Sequence, residues 1–243
     1  MSLIGIVQGR LSKSPKNRLQ YFPKNWKEEF KIANDLNYDF IEFFTERKYN
    51  KYNPIWSKKG ILEYRKLAYE YNLNILNFCD DYIISNSINN LKTKNYLKKL
   101  IENLKLLKVK NLILPFYGKS LMTDFNVLNY CKILKKLIKF SNNVNILIES
   151  NISPEKFKIL KQKIKSNKMK FLFDTGNRIN LNRDLYSDFE KFGSDVGHIH
   201  IKDKNLKFQN VPIGKGLVNF KKFFQIIKKK KYKKNFNFLK KFN

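Results

Sequence analysis

The chain has 243 residues, of which 42% are hydrophobic and 15% aromatic, with 50 Lys plus Arg against 20 Asp plus Glu and a formal charge of +30. That is enough apolar material for one large core, and a single domain over 1–243 is expected, since a (β/α)₈ barrel typically takes ~250 residues. No apolar run nears the ~18 residues of a membrane span, M-S-L-I-G-I-V-Q-G-R lacks a basic n-region and long h-region, and Cys79 and Cys131 form neither a disulfide framework nor a metal spacing, so a reduced, cytoplasmic protein without membrane contact is expected.

Leu3 to Val7 is a short apolar run followed at once by Gln8-Gly9-Arg10, a first strand with polar groups at its C-terminal end. Trp26, Phe30 and Ala33 share one face of a helix over 26–36, with Asn25 as N-cap and Glu28 in a capping box. Phe40 to Phe44 is a second strand carrying Glu42 inside an apolar run. Ile61 to Tyr71 is helical, and Leu73 to Phe78 is a third strand ending at Cys79-Asp80-Asp81. Tyr96 to Leu107 is a strongly periodic helix, and Asn111 to Leu114 a fourth strand stopped by Pro115.

Phe125 to Phe140 is the next helix and Val144 to Glu149 the fifth strand. Ser153-Pro154-Glu155 opens a helix, with Ser as N-cap and Pro in the first turn. Lys170 to Asp174 is the sixth strand, and Thr175-Gly176-Asn177 turns the chain away from it. A weaker helix near Leu185 to Phe192 precedes the seventh strand, Val196 to Ile201. A loop with Pro212, Gly214 and Gly216 leads to a helix over 219–227, and Phe236 to Leu239 is an eighth strand. No eighth helix is expected after it, so the barrel reads as C-terminally truncated.

Strands alternating with helices give parallel pairing through right-handed crossovers, and eight of them fit a (β/α)₈ TIM barrel better than an open sheet. N-I-L-I-E, K-F-L-F-D and V-G-H-I-H-I-K-D are three consecutive strands finishing in metal-capable residues. Two imidazoles two residues apart on a strand point to one face, with Lys202 following on the same face. Gln8, Arg10, Glu42, Asp80, Glu149, Asp174, His200 and Lys202 all fall at or near the C-terminal ends of strands, where barrel enzymes place their chemistry.

The chain resembles the sugar phosphate isomerase/epimerase branch of the xylose isomerase-like TIM barrels. The matching pieces are G-I-V-Q-G-R-L-S, I-E-F-F, L-I-E-S, F-D-T-G-N, H-I-H-I-K-D and P-I-G-K-G, in that order through nearly the whole chain. The resemblance implies a divalent cation, Mn²⁺, Mg²⁺, Co²⁺ or Zn²⁺, held by Glu149, Asp174 and His200. His198 would lie one layer deeper, roughly 6–7 Å back along the strand. The implied chemistry is proton transfer beside the carbonyl of a small sugar or sugar phosphate, with Glu149 as base and Lys202 stabilising negative charge.

Gln8, Arg10, Glu42, Asn177, Asp203 and Lys215 are the expected substrate contacts. Arg10 offers a fork for an anion, and Gly214-Lys215-Gly216 offers backbone N–H groups that would cradle a phosphate. A rim salt bridge for Arg10 and Lys202, a structural partnership of Glu42 with Arg10, and a plain turn at 214–216 stay open as alternatives. The departure from the family is at the eighth strand, where the resemblance implies a fourth ligand, Glu or sometimes Gln, and often a second acid/base, and Leu239 stands in its place. An inosose dehydratase-like lyase and a degenerate, non-catalytic barrel remain alternatives to the isomerase. The nuclease branch of this fold needs three zinc ions with many histidine ligands, which two histidines cannot supply.

The charge would ordinarily point to nucleic acid. Only six of the 50 basic residues are Arg, the preferred residue for bidentate phosphate and base contacts, and the chain has just two alanines amid abundant Lys, Asn, Ile, Phe and Tyr, all read from A/T-rich codons. The charge therefore reads mostly as compositional drift on solvated helix faces. The expected partner is a small sugar, not nucleic acid, with a homo-oligomer as an open option.

Overall fold

A computed structural model describes residues 2–13, 21–179 and 183–238. Eight parallel strands close into a barrel: β1 (Ile4–Val7), β2 (Phe40–Thr45), β3 (Asn77–Asp80), β4 (Asn111–Pro115), β5 (Asn145–Glu149), β6 (Met169–Asp174), β7 (Val196–Ile201) and β10 (Asn235–Phe238). Closure comes from β10, which pairs Ile4↔Phe236 with β1 and Asn237↔His200 with β7. Between β7 and β10 a two-stranded antiparallel hairpin, β8 (Asp203–Lys204) and β9 (Asn210–Val211), stands over the mouth side of the barrel wall. The described helices are α1 (Glu28–Asp35), α2 (Lys58–Glu70), α3 (Tyr82–Ser85), α4 (Leu91–Leu107), α5 (Cys131–Ser141), α6 (Pro154–Ile164), α7 (Thr175–Ile179), α8 (Leu185–Phe192) and α9 (Phe220–Lys229).

Alternation along each strand sorts side chains between two cores. The larger one lies between sheet and helices and takes residues such as Ile6, Phe43, Phe78, Ile148, Phe173 and Ile201, packed against Leu97, Leu100, Leu104 and Leu134 of α4 and α5. The smaller one fills the barrel lumen with Val7, Phe44, Cys79, Ile113, Leu147 and Leu172, one from each of β1 to β6. On β7 and β10 the matching inward residues are polar, His198 and Asn237, both fully buried. Phe236 and Phe238 pack outward against the larger core, which directs Asn237 into the lumen. At the floor, Asn145, Asn111 and Asn77 form a ladder of carboxamides, with Nδ2–H to Oδ1 bonds of 3.0 and 2.8 Å.

Several elements differ from the sequence expectation. The helix expected from Trp26 begins at Glu28, after a turn in which the Glu28 N–H meets the Asn25 carbonyl; Asn25 does not cap it. Leu73 to Leu76 stays outside the barrel ladder except for a bridge of Asn74 with Phe40. The expected helix over 125–140 resolves into a 3₁₀ turn, Val127–Tyr130, and α5. Pro115 belongs to β4, opposite Glu149, and the Thr175-Gly176-Asn177 turn is the start of α7. Ser153 does cap α6, accepting the Lys156 N–H at 3.2 Å. Leu239 and the expected missing eighth helix lie outside the described residues.

Candidate metal centre and the barrel mouth

The consecutive strands β5, β6 and β7 deliver Glu149, Asp174 and His200 to one point. One ligand atom from each lies within 4.8 Å of the others, and all three side chains are buried. His200 is oriented from below by Glu42, whose Oε1 is 3.0 Å from Nε2. A carboxylate accepting the Nε2–H fixes that tautomer and leaves the Nδ1 lone pair facing the other two ligands, with Nδ1 4.0 Å from Asp174 Oδ2. Two carboxylate oxygens and an imidazole suit Mn²⁺, Mg²⁺, Co²⁺ or Zn²⁺. The donor set thus fits a divalent cation.

Charge is balanced tightly here. Burial alone would raise the Glu42 carboxyl, but the imidazoles, His200 foremost, outweigh it and hold it down at about 2. Burial disfavours charge on His200 too, and Glu42 overrides that, so its pKa is raised. His198, one layer deeper, goes the other way because burial wins. Its Nε2 lies 3.2 Å from Glu42 Oε2 and 3.1 Å from Asn77 Nδ2. One nitrogen serves one of these at a time: protonated it donates to Glu42, and bare it accepts from Asn77.

Above the ligands lies a cavity of about 290 Å³ lined by Arg47, Asp81, Tyr117, Glu149, Asn177 and Lys202, among others. Asn177 ties it together. Its Nδ2 donates to Glu149 Oε1 at 2.8 Å and reaches the Tyr117 hydroxyl at 3.3 Å, and its backbone N–H donates to Asp174 Oδ1 at 2.7 Å. Lys202 Nζ donates to Asp174 Oδ2 at 3.0 Å. Burial opposes its charge, but Asp174 and Glu149 more than compensate and keep the ammonium protonated. Burial and the Asp174 carboxylate push the Glu149 carboxyl up. A Cβ on Gly176 would stand 2.6 Å from Lys202 Cδ, so the glycine of D-T-G-N makes room for that lysine.

Other expected contacts sit elsewhere. The Gln8 carbonyl faces the Tyr64 hydroxyl of α2 at 3.4 Å, on the helix side of the sheet, not in the cavity. Glu42 turns to the two imidazoles and not to a salt bridge with Arg10. Arg10 is buried on the β1 loop, within the electrostatic reach of Asp81, Glu29 and Glu42. That loop is pinned by Glu29, which accepts the Gly9 and Leu11 N–H groups; Gly9 has φ +83°, the left-handed region glycine tolerates.

Asp203 and the glycine loop correct the cradle expectation. The Asp203 carboxylate is itself the anion in that nest, taking N–H bonds from Gly214, Gly216 and Val218 at 2.9, 2.8 and 3.1 Å. Those amides are therefore not directed at a phosphate, and Lys215 is exposed on the loop. Sequence reasoning missed Asp81 and Tyr117, which follow strand ends without any motif. It also missed Thr175, whose hydroxyl clamps the Lys202 backbone through its N–H at 2.9 Å and carbonyl at 2.6 Å.

A closed (β/α)₈ barrel with this acid–imidazole cluster at its mouth defines a class, and the sequence places the chain within it. Residues 30–238 match the xylose isomerase-like TIM barrel family, and the chain belongs to that family. Among solved structures it is similar to D-psicose 3-epimerase from Clostridium cellulolyticum H10, crystallised with D-tagatose: TM-score 0.74, 14% identity, 97% of this chain and 84% of that one covered. It is also similar to the E. coli 3-keto-D-glucoside 4-epimerase YcjR (0.68, 15%, 100% and 93%) and to the IolI protein with a bound zinc atom (0.72, 12%, 97% and 88%). A search of curated proteins finds no match.

Proposed function

We propose that the protein is a divalent-metal-dependent isomerase or epimerase of a small sugar or sugar phosphate, moving a proton beside the carbonyl. The convergence of Glu149, Asp174 and His200 beside a sugar-sized cavity carries this reading. The two epimerases and the zinc-bearing protein of the same fold support it.

Glu149, Asp174 and His200 would hold the cation, which supplies Lewis-acid polarisation of the substrate's carbonyl and hydroxyl oxygens. Glu149, held by Asn177 and with its proton affinity raised by burial, takes the proton from the carbon next to the carbonyl. Lys202 stays charged and faces the developing negative oxygen. Tyr117 and Asn177 fix the substrate's hydroxyls, and Arg47 gives the cavity the positive charge a phosphorylated sugar would need.

The test is metal analysis of the purified protein, then reloading with Mn²⁺, Mg²⁺, Co²⁺ or Zn²⁺ and incubation with free and phosphorylated ketoses. Substoichiometric metal after reloading, or no proton exchange with any ketose, would remove the proposal. Loss of water from the substrate in place of rearrangement would identify a lyase.

A further inference from the structure

We propose that Asp81 is a second acid–base residue of this site, delivering a proton to the substrate carbon that Glu149 deprotonates. The inference rests on the isomerase/epimerase reading and assigns a residue that reading leaves open. Inverting a carbon requires a proton to leave one face and another to arrive at the other. The cavity is lined by two carboxyls, Glu149 from β5 and Asp81 from the end of β3, two strands away around the wall. At the register position of His200, β10 presents Asn237, a carboxamide with no proton to give.

Alternation explains why Asp81 points inward. Cys79 is in the lumen, Asp80 turns outward to the Thr45 and Tyr96 hydroxyls, and Asp81 returns to the Cys79 side. Its backbone is held, because the Asp81 N–H extends the ladder to the Thr45 carbonyl at 3.1 Å. Its carboxyl is nearly free: Oδ1 takes only the Cys79 thiol at 3.6 Å, and the buried Oδ2 has no partner among the described residues. Such an oxygen is costly unless a ligand satisfies it. Glu149, Asp80, Arg10 and Arg47 all act on it electrostatically. Burial, with the Glu149 and Asp80 carboxylates, pushes the Asp81 carboxyl up to about 7.

The proton balance closes. The carbon-bound proton passes to the Glu149 carboxylate, leaving an enediolate. Asp81, as the neutral acid, gives its proton to that carbon from its own side and becomes the carboxylate. Both groups then reset by exchange with water, and no oxidant or other reactant is needed.

The Mn²⁺-loaded protein and its Asp81→Asn variant are incubated in D₂O with D-fructose, D-psicose and D-tagatose, and NMR follows deuterium entering recovered substrate and epimerised product. In the variant, Glu149-driven exchange into substrate should persist, while product formation falls ~10²–10⁴-fold. Mn²⁺ affinity, read by calorimetry, should stay at the parent value, because Asp81 is not among the ligands. Unchanged product formation in the variant overturns the proposal. So does parallel loss of exchange, product and Mn²⁺ affinity, which would make Asp81 a structural support. A parent that binds Mn²⁺ but exchanges with no ketose overturns the isomerase reading beneath both.

Discussion

Glu42 decides how His200 is presented, and the sequence hid this. A carboxylate inside an apolar strand reads equally well as a substrate contact or a salt-bridge partner, because a single strand does not reveal which residue stands 158 positions away in the chain. Glu149, Asp174 and His200 were legible because each closes an apolar run on successive strands. Gln8 was harder to place, because the first residue past a strand takes either face, and here it takes the helix side. Replacing Glu42 with Gln should lower Mn²⁺ affinity 10- to 100-fold, the usual cost of losing such an outer partner, as measured by calorimetry.

Asp80 gives a second residue-scale test. Burial lifts it from 3.8 to about 6 despite the Thr45 and Tyr96 hydroxyls. Its folded pKa lies above its unfolded one, so its contribution to stability is complete below pH ~4 and is lost as pH rises through ~6. Asp80→Asn should therefore gain on the parent between pH 4 and pH 7, by up to ~3 kcal/mol. Parallel urea-melt midpoints across that window would contradict it.

Among the elements, the loop after β7 shows most clearly where periodicity stops helping. Two-residue strands such as β8 and β9 carry no pattern to read. The P-I-G-K-G segment looked like an anion cradle because it is one, with the anion supplied from within the chain. Asp203→Ala strands four backbone N–H groups, those of Lys204, Gly214, Gly216 and Val218. Water can reach part of that loop, so the expected cost is about 2–4 kcal/mol, read from chemical denaturation, with faster amide exchange at Gly214, Gly216 and Val218. Gly176→Ala acts on the same wall: its methyl must displace the Lys202 stem, and turnover should fall with little change in melting temperature. Equal turnover would show that Lys202 has other room. The short helix α7, with Arg178 buried against Asp188 of α8, was illegible because five residues cannot show a helical period.

At the scale of the whole molecule the barrel itself was the most legible feature, since eight alternations of strand and helix leave few topologies. The +30 charge is the feature whose meaning depends on where it lies. Exposed lysines occupy the neighbouring helices α4 (Lys98, Lys99) and α5 (Lys135, Lys136), where Lys98 and Lys136 line one groove, and the separate helix α9 (Lys221, Lys222, Lys228, Lys229). A sequence-reading nucleic-acid site would need arginine forks among them, and α4, α5 and α9 carry no arginine. Their contribution is a diffuse field, which attracts any polyanion by counterion release alone. Short duplex and single-stranded DNA should therefore bind weakly and without sequence preference, and the association constant should fall steeply as salt rises from 50 to 200 mM. Fluorescence anisotropy against two unrelated sequences measures this directly. A sequence-selective complex that persists at physiological salt would mean that the lysines form a site and not a solvated shell.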